Sequence, residues 1–248
     1  MYRYAIIFLF IVSLIACSDS VVNLPEENEL SQADSLLVSH FIKINTKGII
    51  RYNDIFDRYL NLPSLIRKWP SDIDIYVFNW SNNDSALPAI SKLISDMDSI
   101  RTDGYKISLT SDSSLANSFI FLGINSEFKN FFQLDSRVPT HESGSTLHWV
   151  DNENYIYKSA SIFNPNNPRS EVLTKKALNR MITRIIGVTG TNESVPTSFF
   201  SSRDLREVPA NYSELDLKVI ELLYHPEMET GLDSAQTVEK LTEILGKN

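Results

Sequence analysis

Few side chains in this sequence combine a reactive type with a spacing that chemistry could use. Of the four histidines, only His141 and His148, with Glu142, fall close together. They flank Ser143-Gly144-Ser145, which reads as a polar surface loop, so no helical or strand period aligns the two rings on one metal. Gly-x-Ser-x-Gly does not occur, and Gly187-Val188-Thr189-Gly190 falls at the end of a predicted helix rather than its start, which suits helix termination and not a phosphate cradle. A carboxylate pair for glycoside cleavage stays open, since such residues can lie far apart in sequence and 31 acids are present. The positive signal is basic. Lys176, Arg180, Thr183 and Arg184 share one face of a predicted helix, opposite an apolar stripe of Leu173, Ala177, Leu178, Met181, Ile182, Ile185 and Ile186. A basic stripe is ordinarily a solvated face; turned into a cleft, two guanidiniums a turn apart would favour a carboxylate or sulfate. Trp149, Tyr155 and Tyr157 could stack on a sugar, although aromatics of this kind mostly supply buried area.

The single cysteine, Cys17, excludes an intrachain disulfide and a thiolate-rich metal site. It ends a segment with Arg3 near its start and an apolar run from Ala5 to Ala16 broken only by Ser13. Such a run rises about 18 Å as a helix, well short of a ~30 Å hydrocarbon core, so it is a poor membrane span and a good secretory signal. Leu14-Ile15-Ala16-Cys17 resembles the bacterial lipobox. That resemblance implies a signal peptide over 1–16, lipidation of Cys17, and attachment to the cell envelope through N-terminal lipid; Ser18 after the cysteine points to the outer rather than the inner membrane. Residues 17–35 form the lipidated N-terminus and a polar tether, and 36–248 a single globular domain. With 31 acidic against 23 basic residues and no basic run, nucleic acid is not an expected partner.

The domain reads as α+β. Strands are predicted at Ile73–Trp80, Tyr105–Leu109 and Ser118–Gly123, and a hairpin joins Leu147–Val150 to Tyr155–Phe163. A helix follows Asp84 or Ser85 and carries Leu87, Ile90, Leu93, Ile94, Met97 and Ile100 at three-to-four spacing. After Pro168 come the helix bearing the arginines, a second around Leu215–Leu223 and a last from about Ser234 to Leu245. The order implies a mixed, twisted sheet with helices packed on one face and a helical C-terminal part.

Arg67-Lys68-Trp69-Pro70, Leu115-Ala116-Asn117-Ser118-Phe119-Ile120, Ile185-Ile186-Gly187-Val188, and Ser213-Glu214-Leu215-Asp216 through Leu222-Leu223-Tyr224-His225-Pro226 to Gly231-Leu232 resemble the DUF2927 family across roughly Phe41 to Leu245. The resemblance implies a zincin-like, metallopeptidase-related fold with an active-site helix across the sheet. In that fold two histidines one turn apart and an adjacent glutamate hold and use a metal. Aligned on Ile186-Gly187-Val188, those places fall to Arg180, Arg184 and Met181, and an extended motif's third histidine to Gly190. Arginine repels a dication and methionine cannot take a proton from water. The expectation is therefore a non-catalytic domain without metal or cofactor, binding an envelope ligand, protein or glycan. An envelope hydrolase, either an atypical metallopeptidase or a carboxylate-based glycan hydrolase, is the alternative.

Overall fold

The computed structural model describes residues 30–46, 50–53, 58–61, 64–136, 138 and 140–247. The first helix, α1 (Gln32–Asn45), is capped by Ser31, whose side chain accepts from Asp34 N, and it buries Leu37, Val38, Phe41 and Ile44. It begins inside the stretch 17–35 read as tether, so the domain reaches back to the Ser31 cap. Two short strands follow, β1 (Ile50–Asn53) and β2 (Arg58–Asn61), and then β3 (Ile73–Phe78), α2 (Leu87–Asp98), β4 (Ile107–Leu109) and β5 (Ser118–Leu122). A single 3-10 turn capped by Asn83, rather than by Asp84 or Ser85, leads into α2. After α3 (Asn125–Phe131) come the antiparallel strands β6 (Ser143–Val150) and β7 (Ile156–Phe163). Three helices complete the chain: α4 (Glu171–Ile185), α5 (Glu214–Leu223) and α6 (Ser234–Gly246).

The seven strands form one mixed sheet in the order β2-β1-β6-β7-β5-β3-β4. Strands β7, β5, β3 and β4 run parallel, whereas β6 is antiparallel to β7 and β1 antiparallel to β2. Alternation along β5 sorts the two faces: Ile120 and Leu122 enter the larger core, and Phe121 enters a smaller one. The larger core holds the apolar stripes of α1, α2, α4, α5 and α6. The short α3, through Phe128, lies over the other face with Leu147, Trp149, Ala160 and Ile162, so five of the six described helices share a face and one does not.

Helix α4 is the element that matters for the site. Ser170 caps its N-terminus by accepting from Leu173 N. At its C-terminal end three successive carbonyls receive side-chain donors: Arg184 O is 2.7 Å from His148 Nε2, Ile185 O accepts from Trp69 Nε1 at 2.8 Å, and Ile186 O accepts from the Tyr224 hydroxyl at 2.7 Å. A helix end leaves such carbonyls without intrahelical partners. Here β6, the segment before β3 and the end of α5 each supply one donor. Gly187 then turns the chain at φ +99°, where a Cβ would stand 3.0 Å from Arg67 O.

Candidate functional site

The polar side of α4 is not a solvated face. Lys176, Asn179, Arg180 and Thr183 are all buried, because the irregular segment 199–212 packs across them. A segment without helix or strand turns some of its carbonyls toward α4, where they need donors, and the basic side chains provide them. Lys176 Nζ donates to Val208 O at 2.6 Å. Arg180 donates to Arg203 O (2.7 Å), Ser202 O (2.8 Å) and Phe199 O (3.2 Å), and its guanidinium lies 5.5 Å from the Phe199 ring centroid. In return Tyr212 donates its hydroxyl to Asn179 O at 2.9 Å. Arg184 differs from both. One of its donors reaches Gly144 O at 3.1 Å, and the remainder of the fork has no protein acceptor among the described residues.

Between these groups lies a pocket of about 450 Å³. Ser143 and Ser145 of β6, with His141 just before it, form one wall; Arg180 and Arg184 form the floor; Thr189 and Thr191 follow from the chain after α4; Arg203 and Leu205 close the side under the 199–212 segment. Residues 143–145, read from sequence as a loop, belong to β6. The strand accommodates them because Gly144 adopts φ +111° and lets β6 approach α4 so closely that a Cβ would stand 3.2 Å from Ala177 O and from Met181 Cβ. Arg203, Thr189 and Thr191 were not singled out by spacing, since they sit in irregular chain with no period to mark them.

The pocket is strongly cationic. Burial, and then the neighbouring Arg184 charge, push Arg180 down to about 10; burial, and then Arg203, also lower Arg184. Both remain cations at neutral pH. Three arginines and no carboxylate stand among the described lining residues. The acid whose field reaches Arg180 is Asp204, held down to about 2 by hydrogen bonds from Arg206. Such a concavity suits an anion.

The other residues marked in the sequence do not join it. Lys176 does not line the pocket. Trp149 is only 5% exposed and packs in the smaller core with Lys158 Nζ 5.0 Å over its ring, so its face cannot be offered to a sugar. Tyr157 sits at the irregularity where the β6–β7 register shifts and is 46% exposed, and Tyr155 is half-buried just before β7; with Trp149 inside the core, the three form no stacking surface. His141 is exposed at the pocket rim, but His148 is a buried strand residue rather than part of a surface loop, and Glu142 accepts from Asn125 N and Asn164 Nδ2. Among the described residues no group of three or more His, Cys, Asp or Glu is placed to hold a metal. Met181 is fully buried in the core, and at Gly190 a Cβ would fall 2.6 Å from Ile44 Cα, leaving no room for a side chain. Cys17 lies outside the described residues.

A second constellation, invisible to spacing, looks like a hydrolase triad and is built otherwise. His40, Ser198 and Asp216 are fully buried together. Asn192 Oδ1 accepts from Ser194 N, which orients its amide so that Nδ2 donates to His40 Nδ1 at 2.9 Å. With Nδ1 accepting, the ring proton sits on Nε2, which lies 3.2 Å from Asp216 Oδ1 and 3.1 Å from Ser198 Oγ. Ser198 directs its own proton to Asp216 Oδ1, so the imidazole has no lone pair facing the hydroxyl. In a nucleophilic relay serine and carboxylate occupy opposite ring nitrogens; here they share one. Asp216 also accepts from Phe199 N and Ser213 N at 2.8 Å; burial would raise its carboxyl, but the combined donors hold it below the usual range. This cluster ties α1, the 192–200 segment and the start of α5 together.

No curated protein and no solved structure matches the chain. A family model described as "Protein of unknown function (DUF2927)" matches residues 37–243, which run from the first turns of α1 to the last of α6. Four residues inside the matched range have structural roles around α4: Trp69 and Tyr224 cap its carbonyls, Gly187 turns out of it, and Asp216 anchors the segment that covers it. The chain belongs to the DUF2927 family.

Proposed function

We propose that this protein is a lipid-anchored component of the bacterial cell envelope whose zincin-like domain is non-catalytic and binds an anionic ligand between α4 and β6. The observation that carries this reading is the pocket of about 450 Å³ whose described lining contains three arginines and no carboxylate. Its size is that of a small-molecule site. The anchor is supported by the lipobox-like Leu14-Ile15-Ala16-Cys17, and the loss of catalysis by Arg180, Met181 and Arg184 at the places where a zincin holds metal ligands and base. A guanidinium trio would repel a zinc ion from the same space. Two measurements on purified protein test the reading. Sulfate should raise the melting temperature more than chloride at equal ionic strength, and protein prepared without chelator should contain no stoichiometric zinc. Equal effects of the two salts would remove the anion site, and one zinc per chain would overturn the non-catalytic reading.

A further inference from the structure

The positive centres of the pocket are tied to different elements. Arg180 is pinned to the carbonyls of Phe199, Ser202 and Arg203, on the side of the covering segment. Arg184 is pinned to Gly144 O, on the β6 side. Arg203 reaches the pocket from the covering segment itself, through a backbone that Arg180 already fixes. A guanidinium tied to backbone at one edge keeps its remaining donors aimed in a set direction. With three cations and no carboxylate among the described lining residues, a singly charged anion leaves most of the positive charge unmatched, whereas a ligand with several negative charges can meet it. The rest of the lining is mostly hydroxyl: Ser143, Ser145, Thr189 and Thr191, with Leu205 as the apolar contact and no aromatic ring. That lining offers little to a hydrophobic group and much to a ligand that is itself rich in oxygen.

We infer that the pocket takes a compact polyanion with its negative charges on separate centres, a hydroxylated di- or tricarboxylate or an acid carrying a phosphate ester, spanning from Arg184 to Arg203. The inference rests on the anion reading above and adds a charge number and a span to it.

Calorimetric titration of the full-length protein in detergent, near neutral pH and at fixed ionic strength, tests it with citrate, 3-phosphoglycerate, sulfate and acetate. Citrate and 3-phosphoglycerate should bind at least about tenfold tighter than sulfate, and acetate weakest of all; the tighter of the first two identifies carboxylate or phosphate as the preferred group. Arg203→Gln should lower the citrate affinity about tenfold and narrow the gap between citrate and sulfate. Lys92→Gln, which removes a surface charge paired with Asp96 on α2, should leave the series unchanged. If sulfate binds as tightly as citrate, the spanning ligand is wrong while the anion pocket stands. If none of the four binds, both fall. If Lys92→Gln weakens citrate as much as Arg203→Gln does, the binding is a general charge attraction and the inference is overturned.

Discussion

At the scale of single residues, His148 shows how a side chain of reactive type can be wholly structural. It is buried in β6, and its Nε2 donates to Arg184 O while holding the last turn of α4. Burial, with the Arg184 and Arg67 charges adding to it, pushes its pKa from an ordinary 6.5 down to about 4. Between those values the unfolded chain binds a proton that the folded chain refuses, so this contribution to stability is complete above about pH 6.5 and is lost as the pH falls toward 4. The loss should be on the order of 3 kcal/mol. Urea unfolding of the parent and of His148→Asn, at a series of pH values through that window, should show the slope in the parent and a flatter profile in the variant. Identical slopes would mean that His148 is not the group being titrated. The same scale explains why spacing misjudged this histidine. Ser143-Gly144-Ser145 looked like loop because small polar residues usually are, and the positive φ of Gly144 that lets a strand pass there leaves no trace beyond the glycine itself.

At the scale of elements, whatever depended on period was legible. Strands β3 and β5, the β6–β7 hairpin and helices α2, α4, α5 and α6 follow their hydrophobic repeats to within a few residues at most ends. The elements that escaped lacked a readable repeat. Helix α3 spans only Asn125–Phe131, too short for a stripe, and α1 mixes Ser and β-branched residues with its apolar positions, although Ser31 followed by Asp34 was a cap signal. The burial of α4's polar face was out of reach for a different reason. It is imposed by the 199–212 segment, an irregular stretch placed by contacts to His40 and Asp216 from distant parts of the chain. Helix α4 thus depends on partners at its end as well as on its stripe. Tyr224 has Arg101 4.4 Å over its ring and donates to Ile186 O, so Tyr224→Phe removes one donor and leaves a carbonyl buried. Chemical denaturation should show a loss of about 1–2 kcal/mol, the usual size for a hydrogen bond deleted on one side only. A variant as stable as the parent would show that the Ile186 carbonyl has another donor.

At the scale of the whole molecule, a cationic pocket sits in a protein whose overall charge is −8. The pocket is therefore a local arrangement rather than a reflection of composition, and the net charge gave no hint of an anion site. Among the described residues no helix is long and apolar enough to cross a membrane. The proposed lipid at Cys17 has its own test. Cys17→Ala should abolish incorporation of labelled palmitate and leave the uncleaved precursor on a gel; a variant still labelled would end the lipoprotein reading. The central claim concerns the two arginines that sequence spacing treats alike and the structure separates. Arg180 donates to three carbonyls and holds the covering segment, whereas Arg184 gives one donor to Gly144 and keeps the rest for the pocket. The most direct test is to measure sulfate binding by calorimetry and unfolding free energy by denaturation on the parent, Arg180→Gln and Arg184→Gln. Arg184→Gln should lose sulfate binding while staying within about 1 kcal/mol of the parent, and Arg180→Gln should lose about 2–4 kcal/mol of stability. Parental sulfate affinity in Arg184→Gln, or parental stability in Arg180→Gln, would contradict this division of roles.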